Sequence, residues 1–183
     1  MLRLLLFCAA STAILPLSRR SLRDLRTHGF YRFFAFESLL ALILLNAPVW
    51  FRDPLSPHQL AAWFLGAVSI GLAIEGFRLL KVIGRPASAS VEGANLAFEN
   101  TTTLVMVGAY RWIRHPLYAS LLALAGSAWL KNPLGAGSLA LSLGASGFLL
   151  ATAVAEEREN LKRFGAPYAE YCNRTRRFIP FVF

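Results

Sequence analysis

Two short polar stretches stand at the borders of long apolar runs. The first is Arg114-His115-Pro116-Leu117-Tyr118, within GAYRWIRHPLY. It sets a permanent cation, a titratable imidazole and a phenol at the start of an apolar segment. Pro116 suits a first helical turn, where a missing N–H costs nothing. The other N–H groups of such a turn have no partner inside the helix and can receive a carboxylate or a phosphate. A plainer reading also stands, with Arg114 and Tyr118 as interfacial anchors and His115 as a cap. The second stretch is Glu156-Glu157, in AEERENLKRF, directly after an apolar run. A carboxylate there is costly unless a donor or a cation meets it. Adjacent positions on a helix point roughly 100° apart, so the two acids face different surroundings. Solvated acids balancing Lys162 and Arg163 are the alternative.

These stretches need apolar elements to hold them. Hydrophobic residues are 56% of the 183 positions and charged ones 16%, against about 25% charged in soluble domains. The expected fold is therefore an all-α integral membrane bundle, a single domain over residues 1–183. Apolar runs cover 4–17, 30–51, 58–80, 116–130 and 134–155, giving about five transmembrane helices with a C-terminal helix at the cytoplasmic face. The second, third and fifth have the roughly 20 residues that cross a hydrocarbon core. The first could be a signal-peptide core. The arginines at 19, 20, 23 and 26 favour a retained helix with the N-terminus outside. The fourth gains length by starting at Pro116, and Asn132-Pro133 turns it into the fifth as a hairpin.

With that topology, all 19 basic residues except Arg3, Arg52 and Lys131 fall on the inner side, along with the C-terminus. The net charge of +9 then meets anionic headgroups and needs no nucleic acid. Cys8 and Cys172 fall on opposite sides in this topology, which argues against a disulfide, and neither has metal-ligand spacing. Glu37 and Glu75, inside spanning runs, are expected to contact Arg78, Arg32 or a serine. Gly66, Gly71 and Gly76 would let the third helix approach a neighbour closely. The connection 84–110 is polar and long for a compact domain, with an apolar tuck at Leu104-Val105-Met106-Val107.

In this order, GAYRWIRHPLY and then AEERENLKRFGAPYAEYCNRTRRFIP, the chain resembles the membrane methyltransferases that include isoprenylcysteine carboxyl methyltransferases and phospholipid methyltransferases. The resemblance covers about half the chain, with a cofactor-binding part at 84–180. It implies S-adenosyl-L-methionine as cofactor and a lipid or lipidated small molecule or protein as methyl acceptor. By position it implies cofactor contacts at Leu104, Val105, Tyr110, His115, Pro116, Leu117, Tyr118 and Glu156. Glu157 then pairs with a base, and Phe164-Gly165, Tyr168, Tyr171 and Arg176 to Pro180 complete the terminal signature. Asn95 stands where some relatives carry a cofactor-contacting Gln.

Two positions depart from the pattern. Thr102 replaces a frequent His, and Thr152 replaces an Arg that meets the substrate carboxylate in prenylcysteine enzymes. A hydroxyl does not substitute for a guanidinium, so Arg176 or Arg177 would have to supply that charge; Arg177 is the candidate substrate-binding residue. No catalytic residue, acceptor atom or oligomeric state is assigned. A sterol-reductase-like enzyme using NADPH and a non-catalytic protein that kept the fold are the competing readings.

Overall fold

The computed structural model describes residues 1–19, 21–84 and 101–182. The described residues are helical, without strands. The helices are α1 (Leu2–Ser18), α2 (His28–Asn46), α3 (Pro57–Val82), α4 (Pro116–Leu130), α5 (Ala136–Phe164) and α6 (Ala166–Arg174). Three stretches are helical, long and apolar enough to cross a membrane: His28–Val49, Pro57–Val82 and Ala136–Phe164. α1 and α4 are shorter apolar helices.

Helix bounds follow local chemistry where that chemistry is strong. α4 starts at Pro116 as expected. α2 stops at Asn46, short of Phe51, because Pro48 follows and the chain tightens into a 3₁₀ turn over Ala47–Val49. α5 runs nine residues past Ala155, where the expected span ends, carrying both glutamates and the basic Lys162 and Arg163 to Phe164.

The long helices are antiparallel to their neighbours. α2 packs on α5, α5 on α4 and α4 on α3, while α1 rests on α2. The N-termini of α2 and α4 therefore meet the C-termini of α3 and α5 at one end, called here the site end. Buried Ala35, Leu149 and Ala153 pack near that end, and Leu39, Leu42, Ala125 and Ala145 pack toward the other. Polar side chains pin helices together: Asn46 Nδ2 donates to Ala128 O (2.8 Å) and Ser138 Oγ (2.7 Å), and Ser127 Oγ donates to Ala62 O (2.8 Å). Gly76 lets α4 approach, since a Cβ there would lie 2.7 Å from Leu117 Cδ2; Gly71, against expectation, faces open space. Glu37 accepts from Ser11 Oγ (2.5 Å), the serine contact foreseen for it.

Lys131 is a buried cation at the end opposite the site end. It is only 3% exposed, with Nζ 3.3 Å from the Trp63 ring centroid and 2.8 Å from Gln59 Oε1. The two turns at that end enclose it, so a residue type that usually marks solvent is here part of the packing.

Candidate functional site

At the site end the C-terminal tail is stitched to the segment before α4. Arg176 N donates to Trp112 O (3.1 Å), Arg114 N to Arg176 O (2.7 Å) and His115 N to Arg177 O (3.1 Å). Arg114 reinforces the seam: Nη1 donates to Thr175 O (2.5 Å) and Cys172 O (3.1 Å). Tyr171 Oη donates to Tyr110 O (2.7 Å), tying α6 to the 3₁₀ turn Gly108–Arg111. Phe178 then enters the core beside Ile113, Tyr118 and Ala119.

The turn at Gly108 is held from α3. Glu75 Oε1 accepts from Ala109 N (2.9 Å), so its partner is a main-chain N–H and not the arginine or serine expected. Gly108 has φ +59°, and a Cβ there would lie 2.5 Å from Glu75 Oε1. Only glycine meets both conditions without strain. Farther back, Gly84 O accepts from Thr102 N (2.9 Å) and Thr103 N (3.2 Å), joining the ends of the long connection. Asn95 lies outside the described residues.

The two glutamates part company. Glu157 Oε1 accepts from Arg114 Nε (2.8 Å), and Glu157 Oε2 accepts from Arg177 Nη2 (3.0 Å). His115 Nε2 lies 3.4 Å from Glu157 Oε1, close enough for an ion pair when protonated but not aligned as a hydrogen bond. Glu157 thus joins the α4 start, the tail and α5. Glu156, one position earlier, faces a cavity and accepts from Tyr118 Oη at 2.5 Å.

That cavity, of about 380 Å³, lies between the helices at the site end. Leu104, Val105, Tyr110, His115, Leu117, Tyr118 and Glu156 line it, together with Tyr168 and Tyr171. Two expected residues do not. Pro116 is fully buried behind the first turn of α4, and the guanidinium of Arg177 is directed to Glu157. Thr152 does not reach the cavity either; its Oγ1 donates to Phe148 O (2.7 Å) within α5. Phe164 of the terminal signature lines it as well, whereas Arg32, Thr101 and Asn160, also in the lining, were not foreseen as site residues. For Arg32 a signal was present, a cation inside an apolar run, four residues after His28.

Comparison with family models, with curated proteins and with solved structures finds no match to this chain.

The cavity has a polar part and an apolar part. Burial, and then the Glu156 carboxylate, raises the pKa of the Tyr110 phenol. Burial likewise raises those of Tyr168 and Tyr171. All three stay neutral at physiological pH, so they offer hydrogen-bond donors and uncharged aromatic faces. The apolar part, with Phe36, Ile70, Ala73, Phe77, Leu121 and Leu124, runs between α2, α3 and α4.

Proposed function

We propose that the protein is an S-adenosylmethionine-dependent membrane methyltransferase acting at the cytoplasmic face on a lipophilic acceptor. One observation carries this reading. Residues from the 101–110 segment, the start of α4, the end of α5 and α6 converge on a cavity that is polar at one part and apolar at the other. A water-soluble cofactor and a lipid acceptor need such a pairing of surfaces.

The residues present suit the cofactor chemically. The first turn of α4 supplies N–H groups for a carboxylate, beside His115, whose buried Nε2 makes no aligned hydrogen bond. Glu156 supplies an acceptor for an ammonium or a hydroxyl group. The aromatic faces of Tyr110, Tyr118 and Tyr168 suit a sulfonium cation. Leu104 and Val105 would add main-chain contacts.

S-adenosylmethionine would supply an electrophilic methyl group to an oxygen, nitrogen or sulfur of the acceptor. The chain's own task is chiefly to hold the two reactants in line and to keep water out, which the apolar wall favours. Where the acceptor is an amine, a proton must leave first. Glu157 is committed to Arg114 and Arg177, so Tyr118 with Glu156 is the pair suited to take it.

The topology proposed with this function has five spans, the N-terminus outside and the C-terminus in the cytoplasm. Calorimetry of the purified protein with S-adenosylmethionine tests the site. His115→Ala and Glu156→Ala should each weaken binding by on the order of 1–3 kcal/mol, the cost of a charged hydrogen bond. Native affinity in both variants would remove the pocket assignment. Incubating native membranes with methyl-tritiated cofactor tests the reaction, since a reductase or a scaffold would transfer no label.

A further inference from the structure

The seam that ties the tail to the segment before α4 has an outer face as well as the inner one that borders the cavity. Two basic stretches far apart in sequence meet there, Arg111-Trp112 and Arg174 to Arg176, joined by the bond from Arg176 N to Trp112 O. Beside them runs a groove of about 670 Å³, lined by Met106, Arg111, Trp112, Arg174, Arg176 and Phe181 among others. Tyr171 lines both the groove and the cavity, so α6 stands between the two. The charges in the groove do not cancel. Its acid is Glu170, which is paired with Arg174. Arg111 and Arg176 are exposed, and among the described residues no carboxylate pairs with either. Arg111 Cζ lies 5.1 Å from the centre of the Trp112 ring. Stacking of that kind limits the rotamers of a long side chain and leaves its N–H edge open to a phosphate.

The groove also has an apolar lip. The Trp112 and Phe181 rings lie 5.3 Å apart and are 46% and 77% exposed. Phe181 holds φ at +67°, a left-handed backbone that a bulky residue seldom adopts. Strain of this kind persists only where the surroundings fix it, and here it accompanies the contact of the two rings. An exposed indole beside arginines is the composition of a membrane border. A free phosphate would use the guanidinium groups and leave the rings in water. An anionic phospholipid uses both, its headgroup meeting the arginines and its chains the rings.

We infer that this groove binds an anionic phospholipid, with Arg111 and Arg176 on the headgroup phosphate and Trp112 and Phe181 against the glycerol and the first methylenes of the chains. The inference requires the site end to border a membrane and is independent of methyl transfer. A lipid seated there would brace the tail at Arg176 and, through α6, the cavity wall at Tyr171. The full chain in detergent micelles is titrated with phosphatidylglycerol or with phosphatidylcholine, and lipid adducts are counted by native mass spectrometry. Phosphatidylglycerol should bind at a concentration at least about tenfold lower, as two basic residues at an anionic headgroup supply. Arg111→Gln with Arg176→Gln should abolish that preference. Arg78→Gln with Lys81→Gln removes the same charge from exposed positions at the end of α3, and should leave the preference intact. Equal binding of the two lipids by the wild-type protein overturns the inference, and that arm depends on no variant folding. Full preference in the Arg111 and Arg176 variant also overturns it, as does equal loss in the α3 pair. Displacement by glycerol 3-phosphate or by a hexaglutamate peptide at the lipid's own concentration would mean a soluble anion or an acidic protein segment is the occupant, and overturns it too.

Discussion

Truncating Glu157 to alanine should loosen the C-terminal tail while leaving Glu156 in the cavity wall. Its carboxylate answers two arginines from different parts of the chain, and the two pairs do not count equally. The side chains of Arg114 and Glu157 are 10% and 15% exposed, with Nε and Oε1 2.8 Å apart. Removing one partner of such a buried pair costs about 3–5 kcal/mol, because the other is left charged and unanswered. The Arg177 side chain is about a third exposed (32%), so solvent screening reduces its share to about 0–1 kcal/mol. Arg114 keeps the carbonyls of Cys172 and Thr175, which offset part of the loss. The net destabilisation should then be about 2–4 kcal/mol. Reversible unfolding in mixed micelles, followed by circular dichroism as dodecyl sulfate is titrated in, measures it. Faster tryptic cleavage at Arg176 should accompany it, since that residue's N–H and carbonyl form the seam to Trp112 and Arg114. Glu156→Ala is the contrasting variant: it should lose cofactor affinity while its unfolding midpoint moves little. A Glu157→Ala protein within about 0.5 kcal/mol of wild type, the range of an ordinary surface change, would refute the account of Glu157 as the joint of the tail.

Four further outcomes are expected. Gly108→Ala should cost at least about 1–2 kcal/mol, from the left-handed backbone alone, before the new Cβ displaces Glu75 from Ala109 N; the same unfolding assay reads it. Lys131→Met should lower stability by about 1–2 kcal/mol through loss of the cation–π contact with Trp63, and an unchanged midpoint would refute this. The neutral phenols of Tyr110, Tyr168 and Tyr171 make stability flat below their ordinary pKa of 10.0. Above it the unfolded chain loses protons that the folded one keeps, so stability should fall by about 1.4 kcal/mol per pH unit for each tyrosine. Phenolate absorbance should then rise only together with unfolding. In a cysteine-free background, Thr103→Cys and Val182→Cys should react with an impermeant maleimide from the cytoplasmic side and Leu134→Cys from the outer side; labelling of positions 103 and 182 from opposite sides would rule out the five-span topology.

The features legible in the sequence are those fixed by neighbours along the chain. Pro116 set the start of α4, and the helical angle between adjacent residues separated the surroundings of Glu156 from those of Glu157. What was not legible depends on pairs far apart. How far α5 continues was one such feature: the apolar run stops at Ala155, yet the helix goes on to Phe164 through acids whose partners sit at the start of α4, on the tail and on α2. The sequence places Lys131 in the turn after α4 but shows nothing of Trp63 and Gln59, which the packing of α3 on α4 brings over it. Glu75 reads as half of an ion pair, whereas its partner is a main-chain N–H released by a turn that glycine makes possible. Arg32 is the instructive case. Its position in an apolar run was visible, but the acid that supports it through His28 lies 131 residues from that histidine. Hydropathy compares each residue with bulk lipid or water. A buried charge is decided instead by the few groups that face it, and for Arg32, Lys131 and Glu157 those groups arrive only when the helices pack.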